Sequence, residues 1–85
     1  MKTYKNRYGD EYWFERRGKD VLKIEGGLQY WRYGGKEGSE IDMDDLGFVD
    51  PSGGPFIAVG SKIDDGYIVK KIFVNEGGIF FEVTL

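Results

Sequence analysis

The C-terminal stretch YIVKKIFVNEGGIFFEVTL, residues Tyr67–Leu85, decides the fold class. It contains two mostly apolar runs, 67–75 and 79–85, with the turn-forming sequence Glu-Gly-Gly between them. In the second run apolar side chains recur at every other position, which is the period of a strand with one buried face. The stretch therefore predicts a β-hairpin. Its second strand should bury one set of side chains, namely Ile79, Phe81, Val83 and Leu85, and turn Phe80, Glu82 and Thr84 to the opposite face.

The first run, 67–75, carries apolar side chains on both faces of the strand that it predicts. Such a pattern is typical of a central strand, or of a strand that bends between two layers. Simple alternation assigns one face to Tyr67, Val69, Lys71 and Phe73, and the other to Ile68, Lys70, Ile72 and Val74.

Glycine-containing turns divide the rest of the chain into further short runs. Turn sequences at 9–10, 18–20 and 26–27 separate the runs 2–8, 11–17, 21–25 and 28–33. Glycine makes up 14 of the 85 residues and aromatic residues 16%, a combination that favours short strands with tight connections. Residues 1–85 therefore predict a single domain that is all-β or β-dominated. About six strands would form a small barrel or a two-layer sandwich.

One short helical turn is predicted near 40–46. A capping-box pattern begins at Ser39, and Gly47 can end the turn. The acidic residues of this segment also resemble the start of a calcium-binding loop. However, Leu46 offers no side-chain oxygen at the fifth position, and Gly53 stands where a bidentate glutamate is needed. We therefore expect no metal site here.

The composition excludes several classes of function. Cysteine and histidine are absent, which removes disulfides, thiolate and imidazole metal sites, and Ser–His–Asp catalysis. No pair of carboxylates is fixed around a recognisable pocket, so we expect neither an enzyme nor a cofactor. No apolar run approaches 18 residues and no signal-peptide pattern opens the chain, so we expect a cytoplasmic protein without a membrane association.

Basic and aromatic residues alternate in the first part of the chain. Residues 1–36 have a net charge of +4 and residues 37–85 a net charge of −7. Tryptophan, tyrosine and arginine are the usual anchor residues of protein interfaces. We therefore expect a protein-interaction module whose partner binds Trp13, Trp31, Arg32 and Tyr33. The net charge of −3 makes long nucleic acid an unfavourable partner, and the 12 basic residues weaken an acidic mimic of nucleic acid.

The segment Asp50-Pro51-Ser52-Gly53-Gly54-Pro55 permits an alternative function. It can be a rigid turn that leads residues 56–60 into a sheet. It can equally be a nest of backbone N–H groups that faces an anion. In that case Ser52, Gly53 and Gly54, with Arg16 and Arg17, would bind a small anionic ligand or a nucleotide. The sequence leaves both possibilities open, and it gives no indication of the oligomeric state.

Two segments carry a resemblance to a known group of proteins. Asn6-Arg7-Tyr8-Gly9-Asp10 and Asp50–Pro55, with the Phe-Ile-Ala-Val-Gly that follows, resemble segments of small uncharacterised proteins of tailed phages, cyanophages among them. The resemblance covers about 20 residues and brings no activity or binding residues with it. It implies an accessory protein in the cytoplasm of an infected bacterium, acting by binding or blocking a host component.

Overall fold

The computed structural model describes residues 2–27, 38, 40, 43 and 47–84. In these residues six antiparallel strands form one sheet that curls into a half-barrel. None of the described residues is helical, and the predicted all-β class is confirmed. The strands are β1 (Tyr4–Lys5), β2 (Glu11–Gly18), β3 (Val21–Gly26), β4 (Lys62–Ile63), β5 (Tyr67–Asn75) and β6 (Gly78–Thr84). Their order across the sheet is β1-β2-β3-β6-β5-β4, so the two shortest strands lie at the edges.

Most of the predicted runs coincide with observed strands. The runs at 2–8, 11–17, 21–25, 67–75 and 79–85 correspond to β1, β2, β3, β5 and β6, whereas the run at 28–33 lies outside the described residues. Residues 56–60, which the rigid-turn interpretation leads into the sheet, form no strand themselves, although the N–H of Gly60 donates to the carbonyl of Val69 in β5 at 2.8 Å. The N–H of Ser61 donates to the carbonyl of Ala58 at 2.9 Å, and the sheet resumes only at β4.

Two hairpins, β2–β3 and β5–β6, form the centre of the sheet. They join through antiparallel pairing of β3 with β6, in which Leu22 lies opposite Phe81. The β5–β6 turn has two central residues, Glu76 and Gly77, with φ of 52° and 72°. Positive φ at both central positions is characteristic of the two-residue hairpin turn whose twist matches that of the flanking strands.

The core lies on the inner face of the curled sheet. Ile79, Phe81 and Val83 are at most 2% exposed, as their alternation predicts. Phe48, Met43 and Ile57, from the segment between β3 and β4, are fully buried in the same core cluster. The buried residues of that cluster are Tyr12, Phe14, Leu22, Ile24, Met43, Phe48, Ile57, Ile63, Val69, Ile72, Ile79, Phe81 and Val83.

The predicted faces of β5 are wrong on one side of a β-bulge. Val69 lies opposite Val83, but Lys71 already lies opposite Glu82, so Lys70 is an extra residue in β5. The bulge shifts the alternation by one position, and Val69 therefore joins Ile72 and Val74 among the buried side chains instead of sharing a face with Phe73.

The outer face of the sheet is also partly covered. Phe80, which alternation places opposite the core, is only 7% exposed. Its ring stacks on that of Phe73 with centroids 5.7 Å apart, and the Nζ of Lys23 lies 5.9 Å from its centroid. The sheet therefore buries an aromatic pair on its outer face as well.

Three single residues between the two halves of the chain are described. The N–H of Gly38 donates to the carbonyl of Val74 at 2.7 Å, and Glu40 forms an antiparallel bridge with Phe73. Met43 is fully buried. The helical turn predicted near 40–46 is therefore wrong at its first residue, because Glu40 pairs with β5 as a strand residue does. The other residues of that turn, Met43 excepted, lie outside the described residues.

Candidate functional site

An asparagine fixes the loop that connects β1 to β2. The Asn6 Oδ1 accepts hydrogen bonds from the backbone N–H groups of Tyr8 and Asp10, both at 2.9 Å. The backbone N–H of Asn6 also donates to the carbonyl of Asp10 at 2.9 Å. Asn6 is 7% exposed, so these bonds are largely shielded from water. One buried amide therefore fixes the conformation of the whole loop.

An aspartate fixes the second distinctive loop in a similar way. The Asp50 Oδ1 accepts from the Ser52 N–H at 2.7 Å and from the Ser52 hydroxyl at 2.6 Å. The Asp50 Oδ2 accepts from the Ser61 hydroxyl at 2.7 Å. The Ser52 hydroxyl in turn accepts from the N–H of Lys62 at 3.1 Å. The carboxylate thus ties its own loop to the first residue of β4.

The pKa of Asp50 reflects this arrangement. Burial by itself would raise the pKa, but hydrogen bonds from Ser52, Ser61 and the backbone of Gly54 outweigh it and hold the pKa below the ordinary value of 3.8. The hydrogen bonds favour the charged form because each donor points at the carboxylate. The ionised side chain is therefore the form that holds the loop in place.

The two loops lie side by side on one surface. The N–H of Arg7 donates to the carbonyl of Gly47 at 2.7 Å, and the Tyr12 hydroxyl donates to the carbonyl of Val49 at 3.0 Å. The Tyr8 ring lies so close to Gly47 that a Cβ on that glycine would come within 2.7 Å of it. We call residues Asn6–Asp10 and Gly47–Pro55 the loop surface. It leaves Tyr8 60% and Val49 40% exposed.

The open seam of the half-barrel forms a second candidate site. The edge strands β1 and β4 lie at opposite ends of the sheet, and side chains bridge the gap between the two ends. The Lys2 Nζ lies 2.5 Å from the Asp65 carboxylate, and the Arg16 guanidinium donates to the Tyr67 hydroxyl. A cleft of about 630 Å³ opens here, which we call the seam cleft. Its lining residues are Lys2, Tyr4, Pro51, Ser52, Lys62, Asp64, Asp65 and Gly66.

Two polar groups of the seam cleft are poorly compensated. The Tyr4 hydroxyl is buried and has no hydrogen-bond partner in the part of the chain that the structure describes. Burial, followed by the neighbouring charge of Asp65, raises the pKa of Asp64, although the charges of Lys2 and Arg16 act in the opposite direction. Unsatisfied buried donors and desolvated carboxylates are features that binding sites share.

The residues predicted to bind a protein partner are only partly described. Trp13 lies on β2, where its Nε1 donates to the Glu15 carboxylate at 2.9 Å and its ring lies against Gly26. Trp31, Arg32 and Tyr33 lie outside the described residues. Of the four predicted residues, Trp13 alone is described; it is half-buried, and its Nε1 already has a hydrogen-bond partner.

The residues predicted to bind an anion are not brought together. Arg16 donates to the carbonyl of Lys19 at 2.7 Å and to Tyr67, whereas Arg17 pairs with the Glu15 carboxylate at 2.8 Å. The donors of the 50–55 loop are directed inward.

In that loop the N–H and hydroxyl of Ser52 donate to the Asp50 carboxylate, and the N–H of Gly53 donates to the Asp50 carbonyl at 3.1 Å. Gly53 has a φ of 112°, which a side chain would strain, and a Cβ on Gly54 would lie 2.7 Å from the Asp50 Oδ2. The Ser52 donors of the predicted nest therefore already bind the Asp50 carboxylate, and the Gly53 N–H binds the Asp50 carbonyl.

Sequence reasoning missed Asn6, Tyr4 and Asp64. The spacing of Asn6 two and four residues before the N–H groups that it binds is a local signal for a side chain that caps a loop. No local signal places Tyr4 beside Asp64, because the two residues meet only through the curl of the sheet.

The described residues contain neither a candidate metal site nor a membrane-spanning helix. Among the described residues, no group of three or more carboxylates is placed to hold a metal ion. None of these residues forms a helix that is long and apolar enough to cross a membrane. Comparison of the chain with models of protein families, with curated proteins and with solved structures found no match.

Proposed function

We propose that the chain is a small protein-interaction domain that acts by binding rather than by catalysis, and that its partner docks on the loop surface. The observation that carries this proposal is the exposure of two large apolar side chains, Tyr8 at 60% and Val49 at 40%, on loops whose backbone is fixed from below. Solvent-exposed apolar groups lower the free energy when a partner covers them.

The fixed backbone supports the same proposal. Asn6 holds the loop that carries Tyr8, and the Tyr12 hydroxyl holds the carbonyl of Val49. A contact surface that is already ordered loses little conformational entropy on binding. Tyr8 has the residue type of an interface anchor, and the exposed Arg7 beside it supplies a planar donor for a carboxylate or carbonyl of the partner.

The alternative of a small anionic ligand on the 50–55 loop receives less support. The donors of Ser52 and Gly53 that would face the anion already bind Asp50, and a bound anion would meet that carboxylate at close range. Like charges in contact oppose binding. Trp31, Arg32 and Tyr33 stay predicted contacts of a protein partner.

Removing the exposed tyrosine tests the proposal. Immobilised wild-type protein and a Tyr8→Ser variant would be exposed to a lysate of the source cells, and proteins retained only by the wild type would be purified and measured for affinity. We expect the Tyr8→Ser change to weaken binding of such a partner at least about tenfold.

A matched control separates the loop surface from mere stickiness. Val59 is 67% exposed but lies outside the loop surface, so Val59→Ser removes an equally exposed apolar group elsewhere. It should leave the affinity unchanged. A partner that binds wild type and Tyr8→Ser equally, or that is lost equally with Val59→Ser, would contradict the proposal.

A further inference from the structure

The seam cleft has the size and walls of a small-molecule site. Its volume of about 630 Å³ lies within the range of about 300–1,000 Å³ that is usual for ligand pockets. The Tyr4 ring and Pro51 provide flat apolar surface, and the β4–β5 turn provides the polar side. The cleft lies between the two ends of the sheet, where side chains rather than backbone hydrogen bonds close the seam.

The charges of the cleft fall into one satisfied pair and two unsatisfied groups. Lys2 and Asp65 bind each other at 2.5 Å. Lys62 and Asp64, two residues apart, both line the cleft, and neither side chain has an ion-pair or hydrogen-bond partner among the residues that the structure describes. One ammonium group and one carboxyl group thus remain for a ligand.

Of these two unpaired side chains, Asp64 is half-buried and Lys62 is exposed. Asp64 lies in the β4–β5 turn with a φ of 46°, which the backbone of aspartate tolerates better than that of most residues. Burial raises the pKa of its carboxyl group, and Lys2 and Arg16, which lie nearby, do not bond to it. A cationic ligand group beside Asp64 would compensate this desolvated charge. The Tyr4 hydroxyl is buried in the wall of the same cleft and has no hydrogen-bond partner among the described residues.

We infer that the seam cleft binds a small zwitterion, an α-amino acid or a derivative of similar size, with its ammonium group toward Asp64 and its carboxylate toward Lys62. The four charged groups of the cleft sum to zero, so a purely anionic ligand would meet the two aspartates and a purely cationic one the two lysines. A ligand that carries both charges meets a partner for each.

A ligand series tests the inference directly. L-leucine carries both charges, 3-methylbutylamine lacks its carboxylate, and 4-methylpentanoate lacks its ammonium group. Each would be titrated into the whole chain while backbone amide NMR signals are followed. We expect leucine to shift the signals of residues 62–66 and 4, and both single-charge analogues to bind at least about tenfold more weakly.

Two substitutions should each remove the preference over one analogue. Lys62→Met should make leucine bind no better than 3-methylbutylamine, and Asp64→Asn no better than 4-methylpentanoate. Asparagine retains the tolerance for positive φ, so the turn is kept. Lys19→Met and Asp20→Asn change equivalent charges in the β2–β3 turn, away from the cleft, and should leave leucine binding as in the wild type.

Three outcomes would overturn the inference. They are the absence of shifts at residues 62–66 with leucine, equal binding of leucine and either analogue by the wild type, and tighter binding of inorganic phosphate than of leucine at the cleft. None of these outcomes bears on partner docking at Tyr8 and Val49, because neither residue lines the seam cleft, although Pro51 and Ser52 belong to both the loop surface and the cleft wall.

Discussion

The β5–β6 hairpin and the loop surface show two different ways of fixing a backbone. In the hairpin, Ile79 and Phe81 are fully buried and hydrophobic packing holds the strands together. On the loop surface, Asn6 and Asp50 fix the backbone by accepting hydrogen bonds from its N–H groups, and the side chains on that backbone are exposed. Packing responds to the size of a side chain, whereas a charged hydrogen-bond acceptor responds to pH. The two regions should therefore fail under different perturbations.

The largest effect is expected in the hairpin. Phe81 is fully buried and its ring meets that of Phe14 edge-on at 5.6 Å, so Phe81→Ala should lower the free energy of unfolding by about 3–5 kcal/mol by leaving a cavity. Phe80 lies on the outer face, and Phe80→Ala should cost about 2 kcal/mol from lost burial alone. Urea denaturation of both variants measures the difference. Equal losses would mean that the outer face is enclosed as completely as the core.

The sequence was sufficient for the hairpin because its information is local. Alternation of apolar residues from Ile79 to Val83 specifies both the strand and its buried face. The same rule failed at Lys70, because a bulge inserts one residue without any change in composition. Alternation also did not predict that the Phe80 ring stacks on the Phe73 ring on the outer face.

The candidate sites were less predictable because their contacts span long stretches of chain. Asp50 binds Ser61, eleven residues away, and Tyr4 meets Asp64 only after the sheet has curled. The turn-forming character of the 50–55 loop was evident from its prolines and glycines. The sequence did not show that the Ser52 N–H donates to the Asp50 carboxylate, because the same residues are equally compatible with an external anion.

The second largest effect is expected at the buried amide of the loop surface. Asn6→Ala leaves the N–H groups of Tyr8 and Asp10 without their acceptor, which should cost about 2–3 kcal/mol of unfolding free energy. Asn6→Asp keeps an acceptor oxygen and should retain most of the stability near neutral pH. Urea denaturation of both variants at one pH gives the comparison. A loss with aspartate as large as that with alanine would show that the amide nitrogen, not the oxygen, carries the effect.

A smaller effect is expected at the hydroxyl that links the 50–55 loop to β4. Ser52→Ala removes a donor to Asp50 and the acceptor of the Lys62 N–H, but Ser52 is exposed and water can replace it, so the loss should be about 1 kcal/mol. Ser61→Ala removes the equivalent pair of bonds from a residue that is 6% exposed and should cost more. Thermal unfolding of the two variants ranks them, and the reverse ranking would contradict this account of the loop.

The smallest effects are expected at two aspartates whose pH dependences have opposite signs. Hydrogen bonds hold the pKa of Asp50 below 3.8, so its contribution to stability is present above that value and is lost as the pH falls through the folded-state pKa. Burial raises the pKa of Asp64, so its ionisation as the pH rises above 3.8 costs stability in the folded state. Asp50→Asn should therefore be less stable than the wild type at neutral pH, and Asp64→Asn slightly more stable.

Both differences should shrink together in acid, since each carboxyl group is then protonated in the folded and unfolded states alike. Urea denaturation of the wild type and the two variants at several pH values between neutral and strongly acidic measures this convergence. Asp20→Asn, on the exposed β2–β3 turn, should follow the wild type throughout. If Asp64→Asn instead lost stability at neutral pH, the Asp64 carboxylate would be compensated by a contact in the chain itself. The seam cleft would then resemble the loop surface, where the chain's own groups already satisfy the charge.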